Sequence, residues 1–276
     1  MRSSQFGFCI RLFVSVAALL VGSVVSSSAI ANDSASEELP EDPLNSVMWK
    51  NMAQRFFPGK VVIDQRVIVH GPADAEDQMQ VPITVDATQL ENVEEIVALA
   101  DLNPIPHILT LRPTRAQPFI GFRVKLEQAT PIRVGVRTSD GVWHVNGVYI
   151  SAAGGGCTAP ALAHGMEDWY KTLGQTRAVT RRESDSLARL SMRMRHPMDT
   201  GLAPGIPVFY MNKVEVTSPQ GDALADIELF EPISENPTLT LKPLVSDNID
   251  ELLVYARDTE ANEFRFTLPV SEVVDN

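Results

Sequence analysis

The sequence predicts an all-β protein of two immunoglobulin-like β-sandwich domains in tandem, with a short N-terminal helix and a glycine-rich, partly helical linker. Its 276 residues contain many short segments rich in β-branched and aromatic residues. Turn-forming residues separate most of these segments, and no crossover helices lie between them. Short strands without crossover helices favour antiparallel sandwiches.

The first 31 residues have the pattern of a cleavable export signal. Arg2 and Arg11 supply a short positive region, an apolar run extends from Leu12 to Val25, and a small-residue motif ends at Ala31. The apolar run is shorter than the roughly 20 residues that span a bilayer, so we expect cleavage rather than an uncleaved anchor. No second apolar run approaches that length. We therefore expect a periplasmic protein that is not held in the membrane after cleavage.

The chain is acidic, with a formal net charge of −12, and cleavage after Ala31 would remove two arginines and no acidic residue. Such a surface repels nucleic acid and anionic lipid. The charge therefore argues against nucleic-acid binding and is consistent with simple solubilisation.

A short helix is expected before the first strand. Residues 32–43 form a polar, acidic leader, and Asp42 followed by Pro43 is typical of a helix start. Apolar residues then recur at helical spacing as far as Phe57, and Pro58 with Gly59 should end the helix.

Strand patterns fill the rest of the first domain, residues 32–160. Asp140 and Gly141 form a hairpin signal between the last two of them. The predicted strands are Val61–Val69, Val81–Ala87, Glu94–Leu102, Ile108–Arg112, Phe119–Glu127, Ile132–Arg137 and Val142–Ser151.

A polar stretch, residues 161–185, is predicted as the linker, with weak helical character around Met166–Leu173. The second domain is expected over residues 186–276. Its predicted strands are Leu187–Arg195, Val208–Thr217, Leu224–Phe230, Thr238–Leu244, Leu252–Arg257 and Glu263–Val270.

The mature chain should carry a single cysteine. Of the two in the sequence, Cys9 lies in the expected signal peptide and Cys157 follows a run of three glycines. A lone cysteine in an exported protein is inert, paired with another chain, or a working thiol.

Gly154, Gly155 and Gly156 predict a flexible arm that presents Cys157 to solvent. A thiol on a tether suits a covalent carrier whose cargo must enter the pockets of different partners. No nearby charge in the sequence should move its pKa from about 8.5, although His164, seven residues further on, is a candidate to lower it. The alternative is a glycine-rich turn with an incidental cysteine.

The tethered cysteine at the end of an immunoglobulin-like domain resembles SoxY, the sulfur-carrier subunit of the periplasmic thiosulfate-oxidising system. Two later segments, His196–Leu202 (HPMDTGL) and Ile233–Leu239 (ISENPTL), resemble motifs of its partner SoxZ. The resemblance extends over roughly Val61 to Val270, and the chain is similar to fused SoxYZ-like carriers associated with quinoprotein dehydrogenases.

This resemblance implies that Cys157 is the carrier thiol and that Gly154–Gly156 is its swinging arm. It implies a sulfur species held as a thiosulfonate or persulfide, and partners such as a c-type cytochrome, a quinoprotein dehydrogenase or Sox-type enzymes. In SoxY the arm ends the chain, whereas here Thr158, Ala159 and Pro160 follow and close it into a loop.

A copper site is the main metal alternative. Met192, Met194 and His196 would share one face of a strand, and thioether and imidazole groups suit Cu(I). Methionines on the inner face of a sandwich are more often core residues, so we expect no metal.

The remaining patterns indicate no cofactor. The five histidines have no metal-ligand spacing, and Trp49, Trp143 and Trp169 are expected to pack in cores or at the domain junction. Arg181 and Arg182 in the linker could steer an anionic cargo, but a solvated charge pair is the simpler interpretation.

Three functions remain open from the sequence. The first is a non-enzymatic covalent carrier that uses Cys157. The second is a non-covalent assembly module for a quinoprotein dehydrogenase and its cytochrome, with Cys157 dispensable. The third, a thiol enzyme, is disfavoured because no resolving cysteine or activating base is evident.

Overall fold

Strands dominate the residues that the structure describes. The structure is a computed structural model, and it describes residues 38–246 and 249–271. The N-terminal half contains helix α1 (Trp49–Phe56) and strands β1 (Val61–Ile63), β2 (Ile68–His70), β3 (Val81–Asp86), β4 (Val93–Ala100), β5 (His107–Arg112), β6 (Ala116–Val124), β7 (Thr130–Thr138) and β8 (Trp143–Ile150). The C-terminal half contains β9 (Thr176–Ser184), β10 (Leu187–Met194), β11 (Met211–Thr217), β12 (Ala223–Leu229), β13 (Thr238–Pro243), β14 (Glu251–Asp258) and β15 (Glu263–Ser271).

The strands are arranged in two sheets that share a hydrophobic core. One sheet has the order β1-β8-β7-β4-β5-β12-β11-β14-β15, and the other has the order β9-β10-β13-β6-β3-β2. Buried side chains from both sheets and both halves form one continuous cluster. At one edge β15 also pairs with β9, where Val270 lies opposite Thr180. The predicted all-β, sandwich-like fold class is confirmed.

The two halves are joined through their backbones in both sheets. In the first sheet β5 pairs with β12, and Leu109 lies opposite Leu229. In the second sheet β6 pairs with β13, and Ile120 lies opposite Leu241. The described residues, 38–246 and 249–271, consequently form one compact unit. The halves follow the predicted order, but their sheets are continuous; the exact domain boundaries stay a prediction.

The predicted start of the helix is wrong. The helix begins at Trp49 rather than near Asp42. The Asp42 carboxylate instead accepts the backbone N–H groups of Leu44 and Ser46 in a tight turn, and Asn45 has a positive φ of 51°. That backbone conformation cannot belong to an α-helix. The predicted end at Pro58 and Gly59 is confirmed.

The helix packs on the outer surface of the first sheet. Trp49 and Phe57 join Trp143 in a second, smaller hydrophobic cluster, which confirms the core positions expected for Trp49 and Trp143. The predicted signal peptide, residues 1–31, lies outside the described residues. Within the residues that are described, no helix is long and apolar enough to cross a membrane.

Two strand predictions fail for local reasons. The predicted strand Val61–Val69 is interrupted by a turn in which Asp64 accepts the Arg66 N–H at 2.9 Å. Strand β9, Thr176–Ser184, lies within the predicted linker; its sequence is polar, and Thr180 is its one buried residue. Between β8 and β9, within the predicted linker, the chain forms two short 3₁₀ turns, Leu162–Gly165 and Trp169–Thr172.

The hairpin signal is confirmed. Strands β7 and β8 pair in antiparallel fashion, with Arg137 opposite Trp143. Gly141 in the connecting turn has a φ of 81°, a conformation that glycine adopts without steric cost.

Candidate functional site

Cys157 lies in a loop that follows β8 and crosses from the N-terminal half toward the C-terminal half. We call residues 154–163 the thiol loop. The cysteine is free but only 1% exposed. Its Sγ donates a weak hydrogen bond to the carbonyl of Lys125 at 3.6 Å. The prediction of a solvent-exposed thiol is therefore wrong in this conformation, because the loop folds back onto the chain after β6.

The three glycines fit a specific packed conformation rather than a free tether. Gly154 and Gly155 have positive φ values of 105° and 84°. A Cβ on Gly156 would lie 2.5 Å from the Gln78 carbonyl oxygen and 2.6 Å from that of Leu126. The Gly155 and Gly156 N–H groups donate to the carbonyls of Glu127 and Leu126 at 3.1 and 3.0 Å. The swinging arm predicted for Gly154–Gly156 is therefore docked here, and the glycines allow close backbone contact.

The Glu127 carboxylate holds the thiol loop from the N-terminal half. Its Oε2 accepts the backbone N–H of Cys157 at 3.0 Å and that of Thr158 at 3.1 Å. The Thr158 hydroxyl donates to Oε1 at 3.1 Å. Hydrogen bonds to a carboxylate are stronger than those between neutral groups. One side chain thus fixes the backbone on both sides of the cysteine.

The C-terminal half holds the same loop through its two motif segments. The Thr200 hydroxyl donates to the Cys157 carbonyl at 2.6 Å. The buried Glu235 carboxylate accepts the N–H groups of Leu162 at 2.7 Å and Ala163 at 3.1 Å. Most of these contacts join a polar side chain to the backbone of the loop. Opening the loop would therefore break no hydrogen bond within a sheet.

His164 does not activate the thiol. Its Nε2 lies 2.9 Å from both carboxylate oxygens of Asp199. Its ring also contacts Trp169, which lies against Phe209 with ring centroids 6.4 Å apart. His164 and Trp169 therefore help to seat the segment after the thiol on the C-terminal half.

Lys125 is a buried cation beside the thiol. The residue is 4% exposed, and its ammonium group donates to the carbonyls of Met198 and Glu231. No salt bridge to a carboxylate forms within the described part of the chain. Burial lowers its pKa to about 8, although the nearby Cys157 and the acidic residues around it oppose that shift.

The thiol itself is protonated in the closed loop. Burial raises the pKa of Cys157 to about 12, and the Glu127 charge adds to that shift, while Lys125 opposes it. The expectation of an unshifted pKa is wrong because burial disfavours the thiolate. Since the thiolate is the nucleophile, the closed loop keeps the sulfur unreactive.

The methionines of the copper alternative belong to the core. Met192 and Met194 are buried in the main hydrophobic cluster, and Arg193 between them is exposed. His196 is buried, and its Nδ1 accepts the Met198 N–H at 3.1 Å. Within the described residues, no group of three or more histidine, cysteine, aspartate and glutamate side chains could hold a metal ion.

Comparison with known families assigns the two halves separately. A family model described as "Sulfur oxidation protein SoxY" matches residues 53–157, and one described as "Sulphur oxidation protein SoxZ" matches residues 176–269. The chain is a SoxY domain fused to a SoxZ domain. The SoxY match ends at Cys157, and the two domain matches support a sulfur-carrier role in sulfur oxidation rather than an enzymatic one.

A solved structure is also similar to part of the chain. The sulfur carrier protein SoxY from Chlorobium limicola f thiosulfatophilum aligns with a TM-score of 0.33 and 17% identity, over 37% of this chain and 88% of that chain. No curated protein matches this sequence.

The sequence identified the thiol but not the groups that surround it. Lys125 and Glu127 lie at the end of a predicted strand, where their spacing carries no signal. Thr200 and Glu235 lie within the two segments that resemble SoxZ, so the resemblance pointed to their segments without assigning them a contact. Lys125 and Glu127 reach the thiol from its own domain, whereas Thr200 and Glu235 reach the thiol loop because the two domains share their sheets.

We expect Glu127→Ala to release the thiol loop. The variant removes the acceptor of three hydrogen bonds, which corresponds to roughly a ten-fold or greater rise in the open population. The check is the rate at which iodoacetamide alkylates Cys157 in the native protein. Glu91→Ala, at an exposed glutamate, is the control. Equal rates in wild type and Glu127→Ala would contradict the role given to Glu127.

We expect Lys125→Met to change how stability depends on pH. The pKa of Lys125 is about 8 in the folded protein and 10.5 ordinarily, so the unfolded chain binds more protons between these values. The free energy of unfolding of the wild type should therefore rise with pH in that window. As the pH falls through about 8, Lys125 becomes charged in the folded protein and the cost of burying its ammonium group returns.

The measurement is urea unfolding of both proteins at pH 7 and pH 9. The difference in unfolding free energy between Lys125→Met and wild type should move by about 1 kcal/mol in favour of wild type from pH 7 to pH 9. Thiol ionisation in the unfolded chain is common to both proteins and largely cancels. Lys171→Met, at an exposed lysine, should show no such change; an unchanged difference for Lys125→Met would contradict a charged, buried Lys125.

Proposed function

We propose that this protein is a periplasmic covalent carrier that holds a sulfur-containing group on Cys157 and transfers it between redox enzymes. The observation that carries the proposal is the position of the single free cysteine of the described chain. It stands at the last residue of the SoxY match, and side chains of the SoxZ domain close over its loop. Both domains therefore control access to one sulfur atom.

The carrier works through a closed and an open form of the thiol loop. In the closed form the sulfur is buried and protonated, which protects it from oxidation. Opening breaks the contacts to Glu127, Thr200 and Glu235 and places Cys157 in solvent. Its pKa then returns toward the ordinary value, and the thiolate becomes available to a partner.

Loading replaces the S–H bond of Cys157 by an S–S bond to an anionic sulfur species. Thiosulfate loading releases one proton to solvent and hydrosulfide loading releases two, and in both cases two electrons pass one at a time to haems of a partner of the c-type cytochrome class. The product is a thiosulfonate or a persulfide. The added group is bulky and negatively charged, whereas the closed loop leaves Cys157 only 1% exposed and places the Glu127 carboxylate beside it, so the loaded loop is open.

Partners and compartment follow from the same proposal. The predicted signal peptide would deliver the chain to the periplasm, where c-type cytochromes, Sox-type enzymes and quinoprotein dehydrogenases work. The similarity to carriers associated with quinoprotein dehydrogenases favours a dehydrogenase system of that class as the setting.

A second function has one observation in its favour. Cys157 is buried, so an assembly module for a quinoprotein dehydrogenase and its cytochrome could use the surface of the folded unit without thiol chemistry. In that case Cys157 would be a core residue and could be replaced without loss of function.

We expect the protein purified from its native periplasm to carry a mass increment on Cys157 that reductant removes. Intact mass with and without reductant, followed by peptide mapping, gives the cargo from the added mass. It also tests whether the mature chain starts at Asn32. The matched control is Cys157→Ser, which should fold, lose the increment and fail to support sulfur oxidation. A free thiol under all growth conditions, with full function in Cys157→Ser, would favour the assembly module.

A further inference from the structure

The outer face of strands β6, β9, β10 and β13 in the second sheet is basic, although the whole chain has 35 acidic and 23 basic residues. Strands β6, β9, β10 and β13 contribute a single acidic residue, Glu183. The basic residues on the outer face of these strands, including the residue that follows β10, are Arg123, Arg177, Arg181, Arg189, Arg193, Arg195 and Lys242. This face reverses the charge of the rest of the protein.

Two pairs of arginines lie directly opposite each other across β9 and β10. Arg177 is the partner of Arg193, and Arg181 is the partner of Arg189. Opposed residues in an antiparallel pair project from the same face, and like charges at such positions are destabilising. The fold gains no stability from this arrangement, so it requires another explanation.

Glu183 neutralises one end of the face only. It lies 3.6 Å from Arg189 and 3.5 Å from Lys242, and both cations also lie over the Phe119 ring. The guanidinium groups of Arg177, Arg193 and Arg195 at the other end make no ion pair or side-chain hydrogen bond within the described residues. The unneutralised charge is therefore concentrated at one end.

At the end of the face that carries Arg177, Arg193 and Arg195, these arginines line a groove beside the thiol loop. Its volume is about 470 Å³, and Gln175, Thr176 and Asn236 complete its lining with the three arginines. Asn236 donates at 3.4 Å to Glu235, whose carboxylate holds the backbone of Leu162 and Ala163. A molecule bound in the groove would contact Asn236, which binds the carboxylate that anchors the thiol loop.

We propose that this groove, the arginine groove, docks an acidic segment of a partner protein that loads or unloads Cys157. The three guanidinium groups offer paired N–H donors that match carboxylates. The groove is open and its arginines are exposed, so a single small ion would gain little there, whereas an extended acidic segment would meet all three.

The net negative charge of the chain strengthens this choice of partner. An extended polyanion such as nucleic acid or an anionic membrane would also meet the acidic surfaces of the protein. A short acidic segment would meet only the basic face, and the same charge pattern would orient an acidic partner toward the thiol loop.

The test uses a fluorescein-labelled peptide of alternating Glu and Ser, with a Gln and Ser peptide as the neutral control. Binding to the full protein is followed by fluorescence anisotropy at low and high salt. The variant Arg177→Gln/Arg193→Gln/Arg195→Gln removes the three positive charges of the groove. The matched control, Arg66→Gln/Arg115→Gln/Arg265→Gln, removes the same charge from arginines paired with Asp64, Asp222 and Glu263.

We expect the groove variant to bind the acidic peptide about ten-fold more weakly and the control variant to differ by less than about two-fold. Absence of wild-type binding at low salt, or equal losses in both variants, would overturn the proposal. The proposal would also be overturned if sodium sulfate displaced the peptide much more strongly than sodium chloride at equal ionic strength, because that result would indicate a small-oxyanion site. Capture of wild type, but not the groove variant, by phosphatidylglycerol vesicles would indicate a lipid surface instead. None of these results depends on whether Cys157 carries a cargo.

Discussion

The backbone pairing between the SoxY and SoxZ domains is the constraint on which the rest of the structure depends. Strand β5 pairs with β12 in one sheet, and β6 pairs with β13 in the other. Beyond the end of β6, the chain continues to pair with the SoxZ domain, as the Lys125 N–H donates to the Pro232 carbonyl at 2.7 Å. The residues that surround Cys157 therefore come from both domains but are fixed by one continuous framework.

This framework explains how a carrier thiol can be both protected and available. The sheets are rigid, whereas the thiol loop is held to them mainly through the side chains of Glu127, Thr200 and Glu235. When these contacts break, water can take the place of each lost hydrogen-bond partner. The loop can therefore open while both domains keep their cores, and its two attached ends limit how far the thiol can travel.

The fold class and the carrier cysteine could be predicted from the sequence, because strand periodicity and a lone cysteine are local signals. Strand β9 could not, since Thr180 is its one buried residue and the usual alternation of buried apolar and exposed polar residues is missing. The state of Cys157 could not either. Three glycines fit a mobile arm and a tightly packed loop equally well, and only the position of Gln78 and Leu126 decides between them.

The distribution of charge over the surface could not be predicted from the sequence either. The sequence shows an acidic protein, in which Arg181 and Arg182 are expected to be an ordinary solvated pair. The fold separates them: Arg182 donates to the carbonyls of Asp185 and Ile249, while Arg181 joins the basic face. Strand pairing gathers arginines that are far apart in the sequence, so the basic face could not be predicted from composition.

As a carrier, Cys157 alternates between a closed, empty state and an open, loaded one. The most direct measurement is hydrogen–deuterium exchange of the thiol loop before and after reaction of Cys157 with tetrathionate, which attaches a thiosulfonate and releases thiosulfate and a proton. We expect the amides of Cys157, Thr158, Leu162 and Ala163, which Glu127 and Glu235 protect in the closed form, to exchange much faster after modification, while the sheets stay protected. Unchanged protection of these four amides in the fully modified protein would contradict this alternation.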